Sequence, residues 1–407
     1  MKEERGSTVN LVVFQDGDLR EMALHEWLDL RQDRVFVISD REAQGVLDER
    51  ALLGRGYASV SVYSNYIGNG AIDADVLGLH ARFGIDRIVA MGEDDVIRAA
   101  RLRTVLNLPG QSLESAVAYR DKVVMKALLR EAGVPVTPFR ALGSPMDLIE
   151  FEREYPLPLF IKPISSSGGT GVRPLLTRAE LRAFLETGFI ARFPGSEYLA
   201  DLMVEKLVEG RLYHVDGLVV EGRIEIAIPS TYLFSQRKAV RGSRTMEKEE
   251  SLYRRLRAVV ESALGALPSP GSFSFHAEVF HTAEDEILVN EIASRTGGGK
   301  IGATVGVVAG MNLNHLSILA QRDAQMARHA LKEARPASPC AGFSLISSLE
   351  RERMSVPRAC PFSWVSDYSV YLPPASDQLV AAVVSGESAR VVEERLERFN
   401  DWILGAV

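Results

Sequence analysis

Cysteine is almost missing from this chain of 407 residues, with Cys340 and Cys360 the only two. Two thiols build neither a disulfide framework nor a four-ligand zinc site. They read as free thiols in a reducing compartment, so the protein is expected in the cytoplasm. No stretch reaches the roughly 18 apolar residues of a membrane helix. The opening residues, MKEERGSTVNLVVF, carry charge without the apolar run of a signal peptide. No membrane partner is expected. Basic residues do not dominate either: 47 Lys and Arg stand against 54 Asp and Glu, a net charge of −7. That offers no broad footprint for nucleic acid, which is therefore not an expected partner. No G-x-G-x-x-G follows the first apolar strand, and no Gly-Lys-Ser/Thr closes a glycine-rich loop. The two commonest nucleotide fingerprints are thereby removed.

What is present is an ordinary soluble composition, 46% hydrophobic and 25% charged, in a chain long enough for two or three domains. Its centre is the stretch Ser272 to Lys300, SFSFHAEVFHTAEDEILVNEIASRTGGGK. Phe273, Phe275, Ala277 and Val279 alternate with Ser274, His276, Glu278 and Phe280, and a second alternating run carries Ile287, Val289 and Glu291. With Ala283 to Glu286 as the loop, Thr282 pairs with Ile287 and Glu278 falls opposite Glu291. Directly paired strand residues lie about 4.5–5.5 Å apart at Cβ. Two carboxylates that close repel unless a cation lies between them, and a hard divalent ion such as Mg2+ suits such a pair. Alone, the pair reads as a solvated surface hairpin. Arg295 and the open backbone of Gly297, Gly298 and Gly299, following at once, favour a metal-nucleotide site.

Around that centre, apolar strands at Val9–Phe14, Arg34–Ser39, Ser59–Tyr63 and Asp86–Met91 alternate with helical spacing at Leu19–Leu30, Asp73–Phe83 and Asp94–Leu106. This is the pattern of a doubly wound α/β domain with a parallel sheet. Ser115 to Ala132 reads as one helix carrying Arg120, Asp121, Lys122 and Lys126, a charge run that by itself is a solvated face. Leu159-Phe160-Ile161-Lys162-Pro163 is an apolar strand around one lysine, which needs an anion or an escape to water. Ser165, Ser166, Ser167, Gly168, Gly169, Thr170 and Gly171 follow, small enough to bring backbone N–H groups close to phosphate. Leu212, His214 and Asp216 share one strand face. Ser230 to Glu247, with Arg237, Lys238, Arg241 and Arg244, reads either as a mobile loop presenting cations to an acidic substrate or as an ordinary solvated loop. Asn312 to Ala330 reads as one helix, and Pro336 and Pro339 mark a linker to short strands and a last helix, Ser388–Leu404.

As an ordered set these segments resemble the ATP-grasp superfamily, and most of all its carboxylate–amine ligases, which include the L-amino-acid ligases. The resemblance runs from about Val9 to Trp402 and is densest between Arg120 and Gly299. It implies a three-domain ATP-grasp architecture. Residues 1–114 form the α/β N-terminal domain and 115–335 an α+β ATP-grasp domain, with a lid subdomain at about 137–207. Residues 336–407 form a small α+β C-terminal lobe. Lys122 in Arg120-Asp121-Lys122 and Lys162 match the two lysines that contact ATP phosphate. Ser165 to Gly171 match the glycine-rich lid loop, and Glu205-Lys206-Leu207-Val208 the hinge that reads adenine. Glu278 and Glu291 match the magnesium carboxylates, and Arg295 the arginine that stabilises the phosphorylated intermediate. Arg237, Arg241, Gly298 and Gly299 are the expected substrate contacts. Two departures stand out. Leu212 occupies a position where the family often has a ribose-binding glutamate, which leaves His214 and Asp216 to substitute. Ala293 replaces the asparagine of Glu-x-Asn, leaving water, Asn290 or Ser294 to complete a second magnesium site.

The reaction so implied uses ATP and Mg2+ to turn a carboxylate into an acyl phosphate, which an amine then captures with loss of phosphate. An amino acid is the expected substrate and a homodimer the assembly that the resemblance implies. The base that frees the amine has no evident candidate. His276 shares the face of Glu278 but reads better as packed behind the metal. A carboxylase-type or purine-pathway ligase, or a nucleotide-binding regulatory protein that does not turn over, stand as alternatives.

Overall fold

A computed structural model describes residues 8–17, 19, 22–44, 53–189, 201–234, 240–347, 356–371 and 378–405. Strands β1 (Asn10–Gln15), β2 (Arg34–Asp40), β3 (Ser59–Tyr63) and β4 (Arg87–Ala90) form a parallel sheet in the order β3-β2-β1-β4. Both of its faces are covered, which is why Leu11-Val12-Val13-Phe14 and Val35-Phe36-Val37-Ile38 are continuous apolar runs rather than alternating ones. The chain builds outward from β1 to β3 and then returns to the other side of β1 for β4. The switch point therefore lies between β1 and β4, where such sheets open a crevice at the carboxyl ends of the strands. The helix expected over Leu19–Leu30 is confined to Leu24–Trp27. Ahead of it the backbone N–H of Leu19 donates to the Gln44 side chain at 2.9 Å, and behind it Leu28 is extended.

An antiparallel sheet, order β5-β8-β6-β7, joins β5 (Phe139–Leu142), β6 (Leu159–Pro163), β7 (Arg173–Leu175) and β8 (Leu202–Lys206). Leu148, Phe151, Leu181 and Phe184, from the helices Pro145–Glu154 and Arg178–Thr187, fill the core against it. The largest sheet has eight antiparallel strands in the order β13-β12-β9-β10-β11-β14-β16-β15. They are β9 (Gly210–Val220), β10 (Arg223–Phe234), β11 (Val240–Thr245), β12 (Phe273–Thr282), β13 (Ile287–Ala293), β14 (Cys340–Ser347), β15 (Val365–Val370) and β16 (Gln378–Gly386). The strands from residue 340 onward thus continue this sheet rather than making their own. One face buries Val215, Phe275, Ala277 and Val279 under the helices Lys122–Glu131 and Tyr253–Ala266. The other buries Leu218 and Val220 under Ile301–Ala309 and Leu313–Arg322. Among the described residues no single helix is long and apolar enough to cross a membrane. Arg322 clamps Asp33, just ahead of β2, with two bonds, Nε–Oδ2 at 2.5 Å and Nη2–Oδ1 at 2.6 Å.

Three expected elements are corrected. Ser230–Glu247 is no loop over most of its length. Ser230 to Phe234 pair with Arg241 to Thr245 across β10 and β11, and Arg237 and Lys238 lie outside the described residues. The helix expected at Asn312–Ala330 breaks at Asp323, whose side chain caps the second half. The helix expected over Ser115–Ala132 is two helices, Leu113–Arg120 and Lys122–Glu131, because Asp121 leaves helical geometry (φ −92, ψ 106). Its Oδ1 accepts from the N–H groups of Val123 and Val124 at 2.8 and 2.9 Å, satisfying two donors that a helix start leaves open. The break puts Lys122 on the first turn, with its N–H donating to Ile164 at 3.2 Å. Asp121→Ala is expected to lower stability by about 1 kcal/mol, read from the urea midpoint. An unchanged midpoint would show that the cap does not hold this break.

Candidate active site

The central hairpin brings Glu278 directly opposite Glu291, as the alternation of the sequence predicts. Its outer end is one residue out of the expected register: His281, not Thr282, faces Ile287, and a bulge between Glu278 and Val279 takes up the difference. Both glutamates line a cleft between the hairpin and the small antiparallel sheet, with Lys122, Lys162, Ser166, Ser167, Gly168, Gly169, Lys206 and Val208 around it. Lys122 Nζ lies 3.1 Å from Glu291 Oε2 and donates to the Ser166 carbonyl at 2.5 Å, tying the glycine-rich loop to the hairpin. Gly168 and Gly169 have φ of 61° and 74°, with open space where a Cβ would stand. Gly171 acts differently. It packs against β6, where a Cβ would sit 2.7 Å from the Pro163 ring. Ser165 is exposed.

Glu205 lines the same cleft. Its carboxylate is buried between Lys162 Nζ at 2.7 Å and Lys126 Nζ at 3.0 Å, so it serves as a counter-ion to both lysines. Burial raises its pKa, but the two lysines outweigh that and hold it below the ordinary range. Lys126 is the residue that sequence reasoning passed over. Burial pushes its amine down to about 8, against the pull of Glu205. The available signal was its place four residues after Lys122, on the same helix face. Leu207 turns its N–H to the Pro158 carbonyl at 3.2 Å, and Lys206 spends its own on Pro138 at 3.1 Å.

His214 and Asp216 do not reach the cleft in the manner expected of ribose contacts. They are 2% and 0% exposed, because β9 is an interior strand flanked by β12 and β10. His214 Nδ1 donates to Asp216 Oδ2 at 2.5 Å, and His276 Nδ1 to Asp216 Oδ1 at 2.7 Å. The free side of His214, Nε2, meets Ser243 Oγ at 2.5 Å. Burial would depress His276, but Asp216 overrides it and raises its pKa to about 10. His276 is therefore a buried cation behind Glu278, with Nε2 3.9 Å from Oε1. Glu278 is fixed further by the Tyr232 hydroxyl at 2.8 Å and by Asn290 Nδ2 at 3.0 Å. Asn290 stays in the cleft and also accepts from Lys162 at 3.3 Å, whereas Ser294 is turned away to Gln111 at 3.0 Å. Two facing carboxylates with an amide oxygen beside them form an oxygen donor set that fits a hard divalent cation. The flanking lysines and the open glycine loop fit phosphate.

A second cavity of about 330 Å³ lies beyond the hairpin. Gly297, Gly298, Gly299, Lys300 and Arg295 form one wall, and the carboxyl ends of β1 and β4 (Gln15, Asp16, Met91, Gly92, Glu93) form the other. Arg295 Nε donates to Glu93 at 2.6 Å, and Glu93 also pairs with Arg120 at 3.2 Å. Gly297 permits the close approach of the loop to the sheet, since a Cβ there would lie 2.7 Å from His276 Nδ1. Of the expected substrate contacts, Gly298 and Gly299 are here. Arg241 is exposed on β11 and Arg237 lies outside the described residues.

This architecture, a parallel α/β sheet followed by two antiparallel sheets that clasp a lysine- and glutamate-lined cleft, is the ATP-grasp fold, shared with solved ATP-grasp structures. The solved L-amino acid ligase of Bacillus licheniformis superposes with a TM-score of 0.70 over 97% of this chain and 98% of its own, at 18% identity. N5-carboxyaminoimidazole synthase of Aspergillus clavatus, solved with ADP and an aminoimidazole ribonucleotide, gives 0.70 over 98% and 99%, at 15% identity. In sequence, the L-arginine-specific L-amino acid ligase of Bacillus subtilis is 26% identical over 223 residues, 53% of this chain and 52% of that protein. The chain thus spans about half the length of that curated relative. No family model matches it.

Glu205→Ala would leave Lys126 and Lys162 buried without their counter-ion. It is expected to cost roughly 3–5 kcal/mol of stability, measured by urea unfolding. A loss below about 1 kcal/mol, the size of an exposed pair, would show that water, not Glu205, solvates the two lysines.

Proposed function

We propose that the chain is an ATP- and Mg2+-dependent carboxylate–amine ligase that makes an amide or peptide bond through an acyl phosphate, with an amino acid as substrate, and releases ADP and phosphate. One observation carries this reading: charges that line the two cavities are linked through Glu291 and Arg295. Glu291 is ion-paired with Lys122 in the first and lies in the field of Arg295 in the second. The phosphate-side charges of the first are thereby coupled to the guanidinium that lines the second. The curated relative with its amino-acid-ligase name favours amino acids over a purine-pathway substrate, a choice that fold similarity alone does not separate.

Phosphoryl transfer needs positioning and neutralisation of spreading charge more than covalent help from the protein. Lys122 and Lys162 hold phosphate oxygens and Lys126 adds charge from behind. The loop from Ser165 to Gly171 excludes the water that would hydrolyse an acyl phosphate. Glu278 and Glu291 hold the metal, which supplies charge neutralisation for the phosphates. Burial lowers the Arg295 pKa, but Glu93 and Glu291 outweigh it and keep the guanidinium charged, ready for the oxyanion that forms at the acyl carbon. Cys340 is buried and its thiol is pushed up to about 11, mainly by burial, so it stays protonated, in keeping with a structural thiol in the cytoplasm. The assembly we assign is a homodimer, to be read by light scattering.

ADP release with ATP, Mg2+ and pairwise mixtures of amino acids is expected to require two particular substrates, with the coupled product seen by mass spectrometry. Nucleotide binding without release for any pair would sink the ligase and favour a non-catalytic nucleotide sensor. Glu291→Ala is expected to abolish magnesium-dependent turnover while the circular dichroism stays unchanged. Normal turnover in that variant removes the metal assignment. Arg295→Ala is expected to lower kcat by roughly 10²–10³-fold with little change in ATP affinity. A loss confined to affinity would make Arg295 a phosphate ligand only.

A further inference from the structure

The second cavity holds several acids, and the structure balances nearly all of them. Glu93 is bonded to Arg295 and Arg120, Asp94 to Arg120 at 2.7 Å, and Asp367 pairs with Lys300 at 3.3 Å. Asp95, just behind, lies 3.6 Å from Arg98 and accepts from the Tyr66 hydroxyl at 2.9 Å. Asp16 is the exception. It follows the last residue of β1, at the switch point of the parallel sheet, and lines the cavity across from Arg295. Among the described residues no basic side chain is bonded to it. Room for its carboxylate is built in: at Gly92 on the neighbouring strand end, a Cβ would stand 2.1 Å from Asp16 Oδ2 and 2.3 Å from Cγ and Oδ1. Only glycine leaves that slot open.

We propose that Asp16 receives the ammonium group of the amine substrate and takes from it the proton whose loss frees the nitrogen lone pair for attack on the acyl carbon. This rests on the ligase reading above. The carboxylate substrate has to approach the phosphates beside Arg295 and Glu291, and an acid with no bonded cation among the described residues repels it from the far wall. The same acid attracts an ammonium, which places the amine on the side of the cavity opposite the phosphates. The nitrogen lone pair forms the C–N bond, and the C–O bond to phosphate breaks with its electrons leaving on phosphate. The first proton has by then passed from the ammonium to the Asp16 carboxylate and on to water, and the second leaves the newly bonded nitrogen to the departing phosphate. Burial first, then the charge of Asp94, push the Asp16 carboxyl up to about 6, while Arg295 opposes them. Glu93 also faces it, and Asp40 and Asp95 lie in its field. A group with that value is ionised at neutral pH, yet basic enough to serve as a proton acceptor.

The test separates amine capture from carboxylate activation. Full-length wild type and Asp16→Asn are supplied with ATP, Mg2+ and the L-amino-acid pair that gives product. Parallel reactions replace the amine with hydroxylamine, which is largely uncharged at neutral pH and traps the acyl phosphate as a hydroxamate. Asp16→Asn is expected to slow amide formation by roughly 10²-fold and to raise the amine KM. Hydroxamate formation should stay within about threefold of wild type, a bound well inside the general-base effect. The wild-type amide rate should rise through about pH 6, and that rise should vanish in the variant. Gly92→Ala, which displaces the carboxylate without removing it, should show the same split if Asp16→Asn does not fold. Equal loss of both reactions, or undiminished amide formation, overturns the assignment. A wild-type enzyme that yields neither amide nor hydroxamate overturns the ligase reading itself, and the assignment with it.

Discussion

One carboxylate holds the halves of the cleft together. Glu205 projects from β8 of the small sheet and is buried between Lys162 of β6 and Lys126 of the helix Lys122–Glu131. Bringing three ionised groups out of water costs several kcal/mol each unless the geometry returns it, and here each lysine has the same acid within 3.0 Å. The arrangement leaves a net positive charge at the back of the cleft. A net positive, desolvated wall is what a polyanion needs, and it holds only while Glu205 stays in place. The small sheet, the helix and the hairpin are thereby locked in a mutual geometry that no apolar contact of similar size would fix by direction.

The same logic extends across the molecule in a single line of alternating charge. Lys162 donates to Asn290, which donates to Glu278; Glu278 accepts from Tyr232 and faces His276, which is held by Asp216. On the neighbouring strand Lys122 meets Glu291, and Arg295 reaches from the end of the hairpin to Glu93 of the first sheet, which also binds Arg120. Each sheet thus contributes charges that another sheet balances. This ties the relative position of the two cavities to electrostatics at the strand ends, where the side chains are few and short of freedom.

Much of this was legible in the sequence, for identifiable reasons. The parallel sheet announced itself through unbroken apolar runs, and the hairpin through strict alternation, which fixes the face of every residue. Glu278 opposite Glu291 followed from that alternation even though a bulge had shifted the outer register. Charge within regular elements is less legible, because its partner lies on another element. Arg241 and Arg244 made Ser230–Glu247 look like a loop, although Arg244 is balanced by Glu250 and Glu393 and both residues sit in a strand. Lys126 looked like part of a solvated face because its partner, Glu205, is remote in sequence. His214 and Asp216 looked available because a strand face carries no sign of whether another layer covers it. Asp121 could have been recognised as a cap, since an aspartate ahead of a helical run satisfies the donors that the run leaves open.

The two departures from the family pattern find different answers in the packing. Leu212 has no substitute from His214 and Asp216, which are consumed by each other and by His276. Ala293, which removes a coordinating side chain from the hairpin, is offset by a neighbour three positions earlier. Asn290 stands in the cleft with its amide nitrogen on Glu278 and its oxygen towards Lys162. Tyr232 fixes the other oxygen of the same carboxylate. A glutamate held at both oxygens cannot swing, so its remaining lone pairs point in a set direction without help from residue 293. Rigidity supplied by donors around the carboxylate thus does the orienting that an additional ligand would otherwise do.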